Sequence, residues 1–436
     1  MIAALPCSLR AAVSPYVGIV RSVEESLRSA ADPRFFQATC SVANAPGVLG
    51  ASLDHLSGLG GAGATRSEAA AAAVGEALER YSATLVPRER LLVATADELG
   101  EAAVPPERFA LFSQRQLERP GFPFRRFTSS TRVAWVEGHR LVGGEPAFLP
   151  AELVYLGPAR LPGAGPIGLA TSSGLAAAEN EEKALVHALL ELLERDAFMV
   201  TWANRLSLPL LEPSNNDTAG GPDLFERAGL RFAAVDLSCF HALPTVLGVV
   251  RAPAEVPGAL GVGAAASVTV ERAWWRALAE AFASRAAGAK LALLEPGRRF
   301  GRRGGGVTSF DDHIRYYADH ARSVVTRFLD SSTERVAFAE VPTLVGGHPS
   351  GQLEALCRRV EAAGATAFAV NVTSPDVASL GVSVVRVIAP ELCPLDTLHS
   401  ARCLGGRRLY EAAAALGLRP GVLDEREINP HPHPFP

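Results

Sequence analysis

The amino-acid sequence predicts a mixed α/β (α+β) fold with several long helices. Apolar strand-like segments alternate with alanine- and leucine-rich helical segments along the whole chain, which is typical of mixed folds. The 436 residues are 48% apolar and 20% charged, so the chain can bury a sizeable core, and a disordered or collagen-like chain is excluded. This length allows roughly two or three domains, but no segment has the composition of a linker, which favours one large domain.

The charge and the cysteine content exclude several functional classes. Lys and Arg number 42 against 46 Asp and Glu, a net charge of −4, so no general attraction to nucleic acid or to an anionic membrane is expected. No apolar run approaches the ~18 residues that span a bilayer, and the start of the chain lacks the basic region of a signal peptide. The six cysteines are scattered without a CxxC pair, as in a reducing cytosol. We expect a cytoplasmic protein without disulfides or a cysteine-ligated zinc.

The first predicted long helix follows a glycine-rich segment. Residues 57–65 (SGLGGAGAT) are a glycine-rich stretch, and its part GGAGAT, residues 60–65, is predicted to form a turn. Thr65 and Glu68 have the spacing of a capping box, so a helix begins there and ends near Pro87. Residues 88–165 contain several Pro and Gly breakers and are predicted to form strands and loops.

Two further long helices and a series of strands are predicted downstream. The Ser/Gly turn in TSSGLAAAEN precedes a helix over 181–203. Asn180 is the expected cap of this helix, and its acidic first turn suits the helix dipole. A third helix is predicted over 271–288. Strands are predicted around 232–250 and, in the last third of the chain, over 336–338, 367–372 and 382–388.

Paired carboxylates on the first two long helices are the main chemical signal. GEALERYSA carries Glu76 and Glu79, LELLERDAF carries Glu191 and Glu194, and residues three apart lie on one helical face. One interpretation is a solvated face with weak local Glu–Arg pairs. The other is that the helices face each other, so that four carboxylates converge and need cations to offset their repulsion. Hard oxygen ligands select Mg²⁺ or Mn²⁺ over zinc, and glycine turns at helix starts suit phosphates, so this interpretation predicts a nucleotide bridged by Mg²⁺.

Three other segments are weaker candidates. GGAGAT lacks the lysine of a Walker A motif and is equally consistent with a structural turn. Arg285, on the third helix, either lies on the surface or reaches a phosphate. Residues 297–306 (GRRFGRRGGG) form a basic glycine loop, which is either solvated or in contact with phosphate or peptide.

The proline-rich end of the sequence, residues 430–436 (PHPHPFP), is stiff. Each proline holds φ near −65° and favours polyproline II. A frayed terminus is one interpretation. The other is that the stiff segment holds its terminal carboxylate at a defined place, as a base or a hydrogen-bond acceptor.

Taken together, five motifs resemble the YcaO family, and specifically its azoline-forming cyclodehydratases. The motifs are AVGEALERYSA, TSSGLAAA followed by ALVHALLELLERDAF, RALAEAFASR, SPDVASLGVSVVRVIAP and the PxPxP ending HPHPFP. The resemblance implies a YcaO-type fold, with mixed sheets and long helices around a central nucleotide site. It divides the chain into an N-terminal segment, 1–56, and a catalytic domain, 57–436, that ends in the proline-rich tail.

The resemblance also implies a function and a set of site residues. The family uses ATP and Mg²⁺ to convert Cys, Ser or Thr of ribosomal precursor peptides into thiazolines or (methyl)oxazolines. The residues that inherit contacts to nucleotide are Glu76, Glu79, Glu191, Glu194, Arg195, Ser173 and Arg285. The metal ligands are the four glutamates of that set. Pro432, Pro434 and Pro436 inherit the catalytic role of the family's C-terminus.

The sequence departs from the family pattern at three places. Ala62 replaces the lysine of a common GGKG motif, Ala283 replaces a common glutamine, and AAENEEKA replaces AAGNTxEEA. None of these changes removes an expected metal ligand. Two alternatives therefore stay open: a YcaO enzyme that forms a thioamide or amidine, and a non-catalytic YcaO-like scaffold, which Ala62 and Ala283 favour.

Several partners follow from the resemblance. Only about 56 residues precede the first motif, and they contain no recognisable leader-binding module, so a separate ThiF-like protein is expected to deliver the precursor peptide. A flavin dehydrogenase that oxidises azolines would also be separate, because no flavin motif is visible. A homodimer is common in the family.

Overall fold

The computed structural model describes residues 5–27, 33–44, 59–213, 224–226, 229–344 and 346–436. Its helices are α1 (Cys7–Ala11), α2 (Arg66–Thr84), α3 (Ala96–Leu99), α4 (Gln114–Leu117), α5 (Ala151–Val154), α6 (Glu181–Asn204), α7 (Val270–Leu294), α8 (Phe310–Tyr316), α9 (His320–Ser323), α10 (Pro349–Ala362), α11 (Pro375–Ser379) and α12 (Arg408–Ala415). Its strands are β1 (Val20–Glu25), β2 (Phe36–Val42), β3 (Gly60–Gly63), β4 (Leu92–Ala94), β5 (Val133–Arg140), β6 (Pro146–Pro150), β7 (Leu175–Ala178), β8 (Leu210–Glu212), β9 (Arg231–Asp236), β10 (Thr245–Arg251), β11 (Leu260–Ala266), β12 (Arg335–Ala337), β13 (Phe368–Asn371) and β14 (Ser383–Ile388). The mixed α/β class is confirmed.

The chain forms two compact units, each assembled from separate stretches. The first unit takes Met1–Leu27, Phe35–Leu192 and Gly346–Glu391, and the second takes Arg28–Arg34, Leu193–Val345 and Leu392–Pro436. The predicted boundary at residues 56 and 57 lies outside the described residues, and that domain division stays a prediction. Within the described ranges, no helix is long and apolar enough to cross a membrane.

The first unit contains two sheets. β1, β2 and β3 form a three-stranded antiparallel sheet, and α2 packs against it through small side chains such as Ala69 and Ala73. The larger sheet has the order β4-β5-β13-β14-β7, with β6 paired to β5. Its central strands lack alternation because both faces are buried, as in the run Val384–Val387.

The segment Gly60–Gly63 is a strand, so the predicted turn before α2 is wrong for these residues. Residues 57 and 58 lie outside the described ranges. β3 runs antiparallel to β2, with Gly63 opposite Phe36. A Cβ on Gly61 would lie 2.4 Å from the amide nitrogen of Ala73, and one on Gly63 would lie 2.5 Å from that of Ala69. These glycines therefore allow a close approach of strand and helix, and they do not provide a turn.

The start of α2 agrees with the predicted capping box. The Thr65 hydroxyl accepts a hydrogen bond from the Glu68 amide (3.2 Å), and the Glu68 carboxylate accepts one from the Thr65 amide (3.2 Å). Near its end, the Tyr81 hydroxyl donates to Asp376 (2.7 Å), and Ser82 bonds to Ser374 (3.0 Å). These bonds hold α2 to the start of α11, so two of the sequence motifs contact each other.

The second unit is built on a five-stranded sheet of order β11-β10-β9-β8-β12. α7 covers β10 and β11, and Gly261 lets the strand approach closely, because a Cβ there would lie 2.2 Å from the Ala281 carbonyl. α7 extends to Leu294, six residues beyond the predicted end. Gly288 lies within this helix, where a Cβ would lie 3.1 Å from the Ile314 carbonyl oxygen. β11 (LGVGAAA) was missed because glycine and alanine give no strand signal.

Candidate functional site

The predicted site residues of the first unit lie around Glu76, Glu79 and Arg80 of α2. One Glu76 oxygen accepts a hydrogen bond from the Gly60 amide (2.8 Å). Its other oxygen accepts one from Arg80 Nη2 (3.1 Å), and Glu79 Oε1 accepts one from Arg80 Nε (3.2 Å). The ExxER motif of α2 therefore forms the local Glu–Arg ion pairs that its spacing suggested. These pairs are not on a solvated face, because only 16% of the Glu79 side chain is exposed.

Charge crowding in this cluster changes the protonation of Glu79. Burial raises its pKa from 4.5 to about 8; Arg80 acts against this, and the charges of Glu191 and Glu76 add to it. The same three carboxylates raise the pKa of Arg80 in spite of its burial. Glu191, from the second ExxER helix, is therefore close enough to act on the first helix. Three predicted site residues come together in this unit.

Glu191 is fixed by the Ser/Gly turn that precedes its helix. The Gly174 amide donates to Glu191 Oε2 (2.9 Å). Gly174 has φ of +81°, a backbone conformation that favours glycine. Ser173, predicted to contact nucleotide, is buried next to it and accepts a hydrogen bond from the Thr171 hydroxyl (3.2 Å). The turn therefore presents one amide to a predicted metal ligand.

Arg386 of β14 is a site residue that sequence reasoning missed. It is 5% exposed, and its guanidinium donates to the carbonyls of Thr171 (2.6 Å) and Leu153 (3.1 Å). Among the residues that the structure describes, its Nε has no hydrogen-bond partner. Burial lowers its pKa to about 10, and the charges of Glu191 and Glu79 act against this decrease. Arg386 is therefore a buried positive charge that faces the carboxylates and supports the turn before α6. The motif SPDVASLGVSVVRVIAP contained it, but nothing in the sequence identified its partners.

The predicted site residues of the second unit include those of α6 after Leu192. Glu194 is buried, and its Oε2 accepts a hydrogen bond from the Ala266 amide at the end of β11 (3.1 Å). Its Oε1 lies 3.4 Å from Arg195 Nε. Glu280 of α7 bonds to the Ala264 amide on the same strand (3.0 Å). Backbone amides of β11 therefore fix two carboxylates of this unit.

Asp196, the next residue along α6, anchors the helix. It is fully buried and accepts hydrogen bonds from Arg408 (2.8 Å) and the Cys393 amide (2.9 Å), and its Oδ2 lies 2.9 Å from His241 Nε2. Burial acts to raise the pKa of Asp196, but Arg408 and His241 outweigh it and hold the pKa at about 2. Asp196 therefore fixes the part of α6 that carries Glu194 and Arg195. It belongs to the same motif, but its role depends on partners that are distant in sequence.

The proline-rich tail, residues 429–436, is packed into the second unit, which argues against a frayed end. Tyr317 donates its hydroxyl to the Pro432 carbonyl (2.6 Å), and Trp202 donates its indole N–H to the His431 carbonyl (3.2 Å). Phe435 is fully buried, and the Arg195 guanidinium lies 4.1 Å from the centre of its ring. The tail therefore contacts Arg195, a predicted nucleotide ligand. Pro434 is buried and Pro436 is half-buried.

Two stacked histidines, His433 of the tail and His313 of α8, help to hold the tail in place. His433 is buried, its Nε2 lies 2.8 Å from the Asp396 carbonyl, and its Nδ1 accepts a hydrogen bond from the Phe435 amide (3.3 Å). This pair of contacts fits a neutral ring that carries its proton on Nε2. Burial lowers the pKa of His433 well below 6.5 and that of its stacking partner His313, 4.0 Å away, to about 4. The tail is therefore held by uncharged rings near neutral pH.

Arg285 lies at the opposite end of β11 from Glu194 and Glu280. It is 8% exposed, and its Nη1 donates to the Pro257 carbonyl (2.9 Å) just before the strand. Its predicted contact with nucleotide phosphate stays a prediction.

The donor set can be compared with the expected ion. Among the residues that the structure describes, no three His, Cys, Asp or Glu side chains are arranged so that they alone could hold a metal. Mg²⁺ is usually bound by one or two carboxylates together with substrate phosphates and waters. Burial, together with the charges of Glu191 and Glu76, raises the pKa of Glu79 to about 8, and carboxylates crowded in this way suit an ion of that kind.

Comparison with solved structures shows the fold. A heterocyclase in complex with substrate and cofactor matches with a TM-score of 0.78 and 23% identity, over 97% of this chain and 56% of that chain. The heterocyclase TruD matches with a TM-score of 0.65 and 23% identity, over 84% of this chain and 50% of the TruD chain. YcaO of Methanopyrus kandleri, bound with AMPPCP and Mg²⁺, matches with a TM-score of 0.56 and 20% identity, over 86% of each chain. This chain thus spans only about half the length of the two heterocyclases.

Sequence comparison gives the family. An uncharacterised protein of Methanothermobacter thermautotrophicus is 27% identical over 338 residues, which is 76% of this chain and 80% of that protein. The family model described as YcaO cyclodehydratase, ATP- and Mg²⁺-binding, matches residues 60–393. Because this match covers most of the sequence, the chain belongs to the YcaO family, as its motifs indicated.

Proposed function

We propose that this chain is an ATP-dependent cyclodehydratase that converts Cys, Ser or Thr of a ribosomal precursor peptide into thiazoline or (methyl)oxazoline. The observation that carries the proposal is the half-buried cluster of Glu76, Glu79 and Glu191, in which the pKa of Glu79 is about 8. Such a cluster is costly unless a cation neutralises it. The family description supports ATP and Mg²⁺ as that ligand, and the packed PxPxP tail supports the azoline-forming class.

The proposed reaction has three stages. The side-chain thiol or hydroxyl of the substrate loses its proton and adds to the preceding amide carbonyl, which closes the five-membered ring and turns the carbonyl oxygen into an oxyanion. This oxyanion takes the terminal phosphoryl group of ATP, and ADP is released. Phosphate then leaves with the electrons of the C–O bond, the former amide nitrogen loses its proton, and a C=N double bond completes the azoline. The net change is the loss of one water from the peptide, coupled to the hydrolysis of ATP.

The residues of this chain position the reactants and balance their charge. Glu76, Glu79, Glu191 and Glu194 would hold Mg²⁺, which when bound neutralises phosphate charge. The Gly174 amide orients the carboxylate of Glu191 (2.9 Å), and the Ala266 amide orients that of Glu194 (3.1 Å). Because these contacts are made by backbone, the carboxylates are fixed before any ligand binds.

The tail would act on the peptide substrate. Phe435 against Arg195 (4.1 Å) links the end of the tail to a residue expected to contact nucleotide. We assign Pro432, Pro434 and Pro436 to the peptide side of the site. The rigid backbone of the tail lowers the entropic cost of holding the substrate there.

The proposed partners are a precursor peptide, a separate ThiF-like protein that delivers it, a flavin dehydrogenase in the same pathway, and a second copy of the chain. The microcin synthetase McbBCD of E. coli, bound to pro-MccB17, has the same fold with a TM-score of 0.55 and 13% identity. Its complex supports the expectation of a peptide substrate and partner proteins.

The test is reconstitution. The protein is incubated with a candidate precursor, the ThiF-like protein, ATP and Mg²⁺, and the peptide is analysed by mass spectrometry. We expect the loss of one water per ring, in step with ADP release. An unmodified peptide in spite of confirmed binding of the delivery protein would contradict the proposal.

A non-catalytic scaffold is the second candidate, and Ala62 favours it. This residue lies in β3 opposite Gln37, at the place where the family often has a lysine. Calorimetry with AMPPCP and Mg²⁺ separates the candidates, because a scaffold that does not use nucleotide gives no binding heat. In that case Ala62→Lys tests whether the missing cation is the cause.

A further inference from the structure

We infer that residues 297–306, the basic loop, bind an acidic segment of the peptide substrate. This inference rests on the proposed function, since it assigns a second contact surface to the same substrate. The loop has four arginines and no acidic residue in ten positions. Of these arginines, Arg298 has a structural role, because its Nη2 lies 2.6 Å from Asp312.

The other three arginines of the loop are exposed to solvent. Arg299, Arg302 and Arg303 form no ion pair with any carboxylate of the described residues. Carboxylates nearby are already paired, Glu295 with Arg315 (2.8 Å) and Asp319 with Arg322 (3.7 Å). The three guanidinium groups therefore present an uncompensated positive surface.

The loop is held in one conformation. The Gly301 amide donates to the Gly305 carbonyl (2.7 Å), and the Gly304 amide donates to the Gly301 carbonyl (3.1 Å). The Arg302 carbonyl accepts a hydrogen bond from Tyr316 (3.1 Å), and the Arg303 carbonyl lies 2.7 Å from His399 Nε2. A backbone fixed in this way reduces the entropic cost of binding.

These bonds also favour carboxylates over phosphate as the ligand. A glycine loop that binds phosphate does so with free backbone amides. In the basic loop the amides of Gly301 and Gly304 are used internally. What remains exposed is the arginine side chains, spaced along the loop, and these suit the separate carboxylates of an acidic peptide.

The loop lies against the tail. Gly304 has φ of +81°, and a Cβ at this position would lie 2.6 Å from Pro432 Cδ and 2.8 Å from His399 Cδ2. Three residues further along the tail, Phe435 contacts Arg195. Three residues span at most about 10 Å, so the basic loop is within that distance, along the tail, of a residue that contacts Arg195. A peptide that extends from this part of the site would meet the loop.

The test measures binding of a rhodamine-labelled peptide of alternating Glu and Ser by fluorescence anisotropy. Arg299→Gln/Arg302→Gln/Arg303→Gln is compared with the wild type and with a matched control, Arg88→Gln/Arg90→Gln/Arg115→Gln. The control removes three exposed arginines of the first unit and changes the net charge equally. We expect the loop variant to bind about tenfold more weakly at low salt, with a smaller salt dependence, and the control to bind as the wild type does.

Three results would overturn the inference: equal losses in both triple variants, unchanged binding by the loop variant, or wild-type binding of a peptide with Gln in place of Glu at the same affinity. Displacement of the acidic peptide by pyrophosphate at matched ionic strength would assign the loop to phosphate and also contradict it. Titration of the same proteins with AMPPCP and Mg²⁺ keeps the two proposals apart. If the protein binds the acidic peptide through the loop but does not bind AMPPCP, only the proposed function is contradicted. If it binds AMPPCP but the arginines of the loop do not contribute to peptide binding, only this inference is contradicted.

Discussion

Glu79 is held at a pKa of about 8 by burial and by its acidic neighbours. A carboxyl whose pKa is higher in the folded state than in the unfolded state retains its proton over the intervening pH range. The free energy of unfolding therefore falls as pH rises from 4.5 toward 8. We expect Glu79→Gln to remove a slope of up to about 1.4 kcal/mol per pH unit. Urea unfolding of the ligand-free protein across this range measures it.

The exposed Glu334→Gln is the control for that experiment, and we expect it to keep the wild-type slope. Saturating Mg²⁺ with AMPPCP should reduce the slope of the wild type, because a cation favours ionised Glu79. An identical pH dependence in Glu79→Gln and wild type would show that the cluster does not perturb this carboxyl.

Arg386 gives a second prediction about a single residue. Arg386→Met leaves the buried carbonyls of Thr171 and Leu153 without donors, so we expect the free energy of unfolding to fall by roughly 2–4 kcal/mol. It also removes a positive charge next to Glu191 and Glu79, so affinity for AMPPCP with Mg²⁺ should change as well. Arg386→Lys keeps the charge and should recover part of the affinity. Chemical unfolding and calorimetry measure the two effects.

Arg251→Met is the matched control for Arg386. Arg251 lies in the second unit, pairs with Asp330 (2.6 Å) and donates to the Thr326 carbonyl (3.0 Å), so its loss also costs stability. It has no carboxylate of the candidate site among its partners in the described structure. Equal changes in nucleotide affinity for Arg251→Met and Arg386→Met would show that Arg386 contributes to stability but not specifically to nucleotide binding.

At the scale of elements, local patterns predicted local structure. The capping box at Thr65 and the cap at Asn180, which accepts a hydrogen bond from the Lys183 amide (2.9 Å), are as expected, because such signals involve residues a few positions apart. β3 was misassigned because its glycines are explained only by the helix packed against them. Arg386 bonds to Thr171 across 215 positions, and Asp196 bonds to Arg408 across 212. Contacts of that range leave no local pattern.

The tail is the element whose order the sequence predicted and whose role is still a proposal. Deletion of residues 432–436 removes the rings of His433 and Phe435, the contact with Arg195 and the terminal carboxylate of Pro436, but none of the four glutamates expected to bind Mg²⁺. We expect AMPPCP binding with Mg²⁺ to persist while ring formation stops. Calorimetry and mass spectrometry of the reconstituted reaction measure these outcomes.

A milder variant tests the same prediction if the truncated chain fails to fold. Phe435→Leu keeps an apolar side chain in the core and removes the aromatic ring under Arg195. We expect a smaller loss of stability and slower ring formation, with nucleotide affinity within a fewfold of the wild type. Full ring formation by the truncated chain would show that the tail is dispensable.

At the scale of the whole molecule, the chain forms two compact units from stretches distant in sequence, while the division into 1–56 and 57–436 stays a prediction. Composition could not indicate this interleaving, because no linker separates the units. α6 passes from the first unit into the second between Leu192 and Leu193, with Glu191 before that point and Glu194 after it. A nucleotide that either carboxylate helps to hold would stabilise the folded chain against unfolding.

Thermal unfolding tests this consequence. At a hundredfold excess over its dissociation constant, a ligand that binds only the folded state adds about 2.7 kcal/mol to the free energy of unfolding. We expect AMPPCP to raise the unfolding temperature only when Mg²⁺ is present, and chelation by EDTA to abolish the increase.

Glu191→Gln and Glu194→Gln should each remove most of this increase in unfolding temperature, because each deletes one charge from the proposed metal site. The exposed Glu181→Gln in the first turn of α6 should respond as the wild type does. An increase that is independent of Mg²⁺, or that persists in both variants, would place the nucleotide elsewhere and leave the carboxylates as structural ion pairs.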